Sequence, residues 1–353
     1  MRSRASSLVL ALLVSSTSGF AQDFNYSPDV GGMTIGAQAC ADERRSPDER
    51  IRACTITLKD GGLRGRDLAN IYINRARAER AVRANEDAAR DLELAIKADE
   101  RYPVAYFERG NFLSDNGDNR RALEDYDRAI RLKATYPEFF INRGNVYKDL
   151  GHVDAAIADY GRAIELDPKD IAAYSNRAGL YLAEDQLDAA IADFDKMIAL
   201  DPDKAEPYYS RGSALLKKGD AERALKDFDE ALRLRPDFNA ARTARGHTLQ
   251  SRAQSLIAKG DFNEAVEALT QAIESEPANA TAFSNRGVAY MSQKNYSHAL
   301  ADFTRATELK PDYADAWFNR SLAHAELGKP DLAAKDRARA IELDPTLAKP
   351  DAR

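Results

Sequence analysis

The chain reads as an all-α solenoid of eight stacked helix–turn–helix repeats behind a short cysteine-bearing segment. Three observations predict this. A small residue, an Ala and a large apolar side chain return in phase, mostly every 34 residues. A short turn, often carrying Gly, splits each period into two amphipathic halves. A Pro closes most periods. At 353 residues, with 31% charged and 8% aromatic, the chain is long enough for such an array and has the composition of a folded, helix-rich protein.

The first element, residues 1–21, is expected to be a secretory signal peptide. Arg2 and Arg4 precede an apolar run, Leu8 to Val14, and small residues lead to a cut after Ala21. The run is too short to cross a bilayer, and no Cys follows the cut to carry a lipid. The expected location is therefore outside the cytoplasm: periplasmic in a Gram-negative bacterium, secreted otherwise. Losing the leader's two Arg takes the net charge from −6 to −8. That balance argues against nucleic acid or an anionic membrane as partner.

The second element, residues 22–68, is expected to cap the array. It holds both cysteines, Cys40 and Cys54. Export permits a disulfide between them, and closing a loop of about 15 residues would stabilise the segment by about 3 kcal/mol in the chain-entropy treatment. The spacing is not C-x-x-C, so the pair reads as a structural staple, with a reactive thiol or metal site as the alternative. Between them, "SPDE" (Ser46 to Glu49) has the pattern of a capping box with Pro in the first turn. The helix it starts is expected to run to about Lys59 and stop at Gly61-Gly62.

The repeats fill residues 69–347. The small column is Ala76, Gly110, Gly144, Ala178, Gly212, Gly287 and Ser321, in steps of 34 except for one of 75. That step is a period of 41 followed by one of 34, which places Ala253 in the column and seven extra residues before it. Seven residues are almost two helical turns, so a longer first helix in the sixth repeat keeps its face. Repeats then start near 69, 103, 137, 171, 205, 239, 280 and 314. Ala88, Ala122, Ala156, Ala190, Ala224, Ala265, Ala299 and Ala333 form an unbroken second column. Leu92, Tyr126, Tyr160, Phe194, Phe228, Leu269 and Phe303 form a third, and a large ring stands four residues before most small residues. Small residues let paired helices approach, and rings fill the next layer. The last repeat has His324 and Arg337 where others carry larger apolar groups, and is expected to be its own polar cap. Residues 348–353 are left as a tail, fraying from Leu347.

These columns resemble the tetratricopeptide repeat family, whose 34-residue period and large–small–Ala–aromatic–Ala–Pro pattern match. The resemblance implies a right-handed superhelical solenoid whose first helices line a concave groove. It says little of the ligand, because the fold serves many tasks.

The chain departs from the family pattern in one column. Where the family usually has Leu, it has Arg75, Arg109, Arg143, Arg177, Arg211, Arg252, Arg286 and Arg320. Sixteen residues on stand Asp91, Asp125, Asp159, Asp193, Asp227, Asp302 and Asp336, with Ala268 in the sixth repeat. The two columns predict an ion-pair ladder joining helices, within a repeat or between neighbours. Its best-defined rungs are Arg109, Arg143, Arg177 and Arg211 with Asp125, Asp159, Asp193 and Asp227. The Arg column reads as a strut rather than a ligand clamp. Arg252, lacking its local acid, must find another partner or face solvent.

Asn precedes that Arg at Asn74, Asn142, Asn176, Asn285 and Asn319. In the groove that the resemblance implies, such carboxamides could hold an extended peptide by its backbone; the alternative is that they cap or bridge neighbouring helices. One residue earlier stand Ile73, Phe107, Ile141 and Tyr209, expected to be exposed in the groove unless they pack across adjacent repeats. The expected peptide-binding patch is Phe107, Asn111, Ile141, Asn142, Asn145, Asn176 and Tyr209. The Lys/Asn/Arg clamp of family members that bind acidic chaperone tails is not kept: Val104, Glu138, Ala172 and Glu206 hold its cationic places.

No catalytic reading emerges. His152, His247, His298 and His324 fall in different repeats, and no H-E-x-x-H, G-x-S-x-G, Walker or dinucleotide motif is present. The expectation is a non-enzymatic adaptor with no cofactor or metal, binding a protein or peptide in envelope assembly, secretion or polymer export. A structural homo-oligomer is the competing reading.

Overall fold

The computed structural model describes residues 35–348. The expected leader, 1–21, the start of the capping segment and nearly all of the tail lie outside the described residues. The described chain holds eighteen α-helices and one 3-10 turn, and no strand.

The capping segment contains two helices, α1 (Ile35–Ala41) and α2 (Pro47–Asp60). α2 starts as its sequence dictates: Ser46 accepts from the Glu49 amide, and the Glu49 carboxylate takes the Ser46 amide in return. It ends at Gly61, whose φ of 71° suits glycine. α1 has only seven residues, too few for a helical repeat to stand out in the sequence. It is held from outside, because Cys40 is fully buried and disulfide-bonded to Cys54. The two cysteines, Ala37 and Ile71 form one small core, so the staple lies against the first helix of the array.

Sixteen helices follow, most of them in packed pairs. In the first unit, ending at Leu180, they are α3 (Gly65–Ala81) with α4 (Asn85–Ala98), α5 (Pro103–Asp115) with α6 (Asn119–Leu132), and α7 (Pro137–Asp149) with α8 (Val153–Leu166). The first helix begins at Gly65, four residues before the expected boundary at 69. α9 (Ile171–Ala183) carries the division between the units. The second unit, from Tyr181, holds α10 (Leu187–Leu200), α11 (Ala205–Lys217), α12 (Ala221–Leu234), α13 (Asn239–Lys259), α14 (Phe262–Ser275), α15 (Ala280–Ser292), α16 (Tyr296–Leu309), α17 (Ala314–Glu326) and α18 (Pro330–Leu343). Within each unit, helices adjacent in sequence pack together. α13 has 21 residues where α11 has 13, so the seven extra residues lengthen one helix rather than a loop.

The core of each unit is built from the periodic columns. Ala88, Ala122, Ala156, Ala190, Ala224, Ala265 and Ala299 are all 0% exposed. Tyr126, Tyr160, Phe228 and Phe303 are the large buried partners. Four glycines of the small column, Gly110, Gly144, Gly212 and Gly287, lie close against these rings. A Cβ on Gly287 would lie 2.6 Å from Phe303 Cε1, and one on Gly212 would lie 2.8 Å from Phe228 Cε1. Ala76 takes the same place where the residue sixteen on is the narrower Leu92.

The last repeat differs from its expectation as a polar cap. The His324 side chain is only 12% exposed, 3.7 Å from Asp336, and burial pushes its imidazole pKa down. Arg337 lies over the Phe318 ring, 5.1 Å from its centre. Leu347 is buried on the 3-10 turn Pro345–Ala348 instead of fraying.

Candidate functional site

The Arg column is held from several sides. Within repeats, Arg75, Arg109, Arg143, Arg211, Arg286 and Arg320 each donate a forked pair of hydrogen bonds to the Asp sixteen residues on, at 2.6–2.9 Å. The second Nη reaches back to the preceding helix pair: Arg143 Nη1 meets Asp127 and Arg211 Nη1 meets Asp195, both at 2.6 Å. Arg286 Nη1 uses Thr270 in the same way. Five of these six guanidinium groups, all but that of Arg109, also cover the ring three residues before them, as Arg211 over Tyr208 at 5.7 Å and Arg320 over Trp317 at 4.3 Å. Asp227, and then Asp195, hold the Arg211 guanidinium above its ordinary range, against the effect of burial. Asp125 does the same for Arg109. Arg177 in the first unit lies over the Tyr174 ring at 5.9 Å. Asp193 is buried in the second. One Arg thus ties two helices of its own repeat to the repeat before it. The reach-back acids were legible as an incomplete column two residues after the Asp column: Glu93, Asp127, Asp195 and Asp229.

The expected peptide patch is changed more. Phe107 is 0% exposed, and Ile141 1%, so neither lies open in a groove. Phe107 packs between Tyr126 and Phe139, with ring centres 5.8 and 4.7 Å away. Helical periodicity assigned these residues a face, and the neighbouring helix pair covers that face. Asn111 and Asn142 are buried too, at 0% and 3%. They bond each other, Asn142 Nδ2 to Asn111 Oδ1 at 2.9 Å, and Asn111 Oδ1 also accepts from the Tyr126 hydroxyl at 2.8 Å. Here the carboxamides bridge repeats and are not open to a peptide. Tyr209 belongs to the second unit, half-buried between Phe228 and Phe238.

Asn145 and Asn176 remain half-buried. They repeat the bridge one step on: Asn145 Oδ1 accepts from Tyr160 at 2.7 Å and from Asn176 Nδ2 at 3.4 Å. Among the described residues, Asn145 Nδ2 and Asn176 Oδ1 make no hydrogen bond, which leaves the N–H donors of one and the carbonyl acceptor of the other unused. A signal for the bridge was present in the sequence. Tyr replaces Phe at 126 and 160, the same two repeats in which Asn stands fifteen residues earlier, at 111 and 145. Below this face, Glu108 is fully buried and takes a hydrogen bond from Arg77 at 2.5 Å. Arg80 pairs with Asp115.

Glu79 is a buried acid that the columns did not reveal. It lies 3.7 Å from Arg75, and its Oε2 has no hydrogen-bond partner. Burial, then the nearby Asp91, pushes its carboxyl up from 4.5 to about 7. The folded chain therefore holds a proton that the unfolded chain loses, and stability falls as pH rises from about 4.5 to about 7. Glu79→Gln is expected to match the parent near pH 4.5 and to exceed it by about 1–3 kcal/mol at pH 8 in urea unfolding. Equal gains at both pH values would refute this assignment.

Among the described residues no group of three or more His, Cys, Asp and Glu is arranged to hold a metal ion. No described helix is long and apolar enough to cross a membrane.

Comparison with known proteins gives matches to four models of the tetratricopeptide repeat. One covers residues 177–246, and a second matches three times, over 110–151, 144–184 and 253–294. The third covers 280–313 and the fourth 314–347. No curated protein matches the chain. Among solved structures, YrrB, described as a TPR protein with an unusual peptide-binding site, is 26% identical. That match covers 55% of this chain and 96% of YrrB, with a TM-score of 0.40. A tetratricopeptide repeat protein from Parabacteroides merdae is 20% identical over 70% of this chain and 96% of its own, with a TM-score of 0.42. The first TPR of Spaghetti (RPAP3), bound to the HSP90 peptide SRMEEVD, is 27% identical over 31% of this chain and 86% of its own, with a TM-score of 0.30.

Proposed function

We propose a function from the premise that the chain belongs to the tetratricopeptide repeat family: it is a non-catalytic scaffold that binds an extended segment of a protein partner. Proteins of this fold generally act by holding others. The observation that carries the reading is the Asn145–Asn176 pair. Its spare donor and acceptor match the N–H and C=O of a peptide backbone, and both side chains remain partly open to solvent. The binding face is centred there in the first unit and does not include the buried Phe107, Asn111, Ile141 and Asn142.

The partner lies outside the cytoplasm in this reading. The charged and apolar pattern of residues 1–21 supports export, as does the Cys40–Cys54 disulfide, a bond that persists in oxidising compartments. Envelope assembly, secretion and polymer export are the settings it covers. Crosslinking in intact cells, followed by mass spectrometry, tests the reading with a photoreactive residue at Ser175, which is exposed beside Asn176. The expected result is one crosslinked protein, lost in Asn176→Ala while circular dichroism is unchanged. Crosslinks only to a second copy of this chain, with mass rising with concentration in light scattering, would replace the scaffold by a homo-oligomer.

A further inference from the structure

The sixth repeat breaks the ladder, and a cavity accompanies the break. Arg252 stands in the Arg column, but Ala268 replaces the Asp sixteen residues on. Its reach-back acid is also taken. Asp229 of the preceding repeat is bonded by Arg245, seven residues earlier, at 2.5 Å. Arg245 is fixed further by Ser275 Oγ at 2.8 Å and the Gln271 carbonyl at 3.3 Å. Arg252 therefore makes no hydrogen bond or ion pair among the described residues. It is the exposed member of a column whose other members are half-buried.

Arg252 lines an open cavity of about 270 Å³ between α12, α13 and α14, with Leu225, Leu249, Lys226, Glu222, Asp229 and Gln271 among its walls. Leu225 and Leu249, 8% and 3% exposed, give it an apolar part. The charges pair off, Lys226 with Glu222 at 3.0 Å and Arg245 with Asp229, leaving the Arg252 guanidinium as the surplus. We propose that this cavity binds a single carboxylate carried on a short apolar stem, the carboxylate taking the forked bond from Arg252 that Asp makes elsewhere in the column. In six rungs the column Arg donates a forked pair of hydrogen bonds to one carboxylate. The volume lies below the roughly 300–1,000 Å³ of drug-sized sites, so the occupant is one chain end, one acidic side chain or a small acid. Glu222 and Asp229 in the wall disfavour a second negative charge. The site does not depend on the peptide-facing surface of the first unit.

The test is titration of the full chain, followed by NMR at the Leu225 and Leu249 methyls, with acetyl-leucine, 3-methylbutanoate, succinate and acetyl-leucinamide. Both monocarboxylates are expected to bind saturably, succinate more weakly, and the neutral amide not at all. Arg252→Gln, a change at an exposed side chain, should weaken binding about tenfold. Ala268→Asp should weaken it similarly by giving Arg252 the acid found in the other rungs, and should raise the melting temperature. Tighter binding of acetyl-leucine than of 3-methylbutanoate assigns the site to a peptide chain end; equal binding assigns it to a small acid. Equal binding of the amide, or an unchanged affinity in either variant, would overturn the proposal.

Discussion

Replacing Arg211 by Ala is expected to destabilise the second unit by about 3 kcal/mol, because it strands a buried acid. The Asp227 side chain is 8% exposed, and in the native chain it takes both Nε and Nη2 of Arg211. Without the guanidinium it has no cation to replace its lost water. Asp195 shares the same Arg, yet its side chain is 50% exposed, so Asp195→Ala alone should cost only about 0–1 kcal/mol. Arg211→Leu combined with Asp227→Ala removes both charges and places at 211 the residue type the family usually has there. That double variant should recover much of the loss. Urea midpoints of the four proteins decide it. A double variant as unstable as Arg211→Ala would mean that the Arg acts through its packing over Tyr208, not through its charge.

Gly287→Val is expected to cost about 3 kcal/mol, at the top of the usual range for overpacking. The 2.6 Å approach of a Cβ to Phe303 is to a ring that is itself 0% exposed and has nowhere to move. Gly287→Ala introduces the same Cβ with less bulk and regains about 1 kcal/mol of helix propensity. Its net loss should be smaller. In a Phe303→Leu background the sign should reverse, because the site then copies the Ala76–Leu92 pair of the first repeat. Thermal melts of the single and double variants test this. Destabilisation of equal size in both backgrounds would show that the ring does not demand the glycine.

The helices and their pairing were legible from the columns. Small and large residues recur at fixed steps because each repeat meets its neighbour in the same way. The longer sixth repeat was legible too, since seven residues preserve a helical face. The carboxamides were harder. Asn142 and Asn176 occupy equivalent places, yet the first is buried and the second half-open. Their surroundings differ: Ile141, one residue before Asn142, is buried, while Ser175, one residue before Asn176, is exposed. Burial of that face depends on the side chains of the adjacent pair, which periodicity within one helix does not contain. α1 escaped for a related reason, because a covalent bond and the array hold it in place of its own pattern.

α13 carries two registers in one rod. Arg245 and Gly246 continue the spacing inherited from upstream, whereas Arg252 and Ala253 set the spacing used downstream. Excising residues 246–252 would fuse them into a single Arg–Ala step and shorten the rod by about 10 Å with a turn of only about 20°. A change of seven residues in the sixth repeat therefore keeps the faces of α13 in place, and helix length there moves in steps of almost two turns.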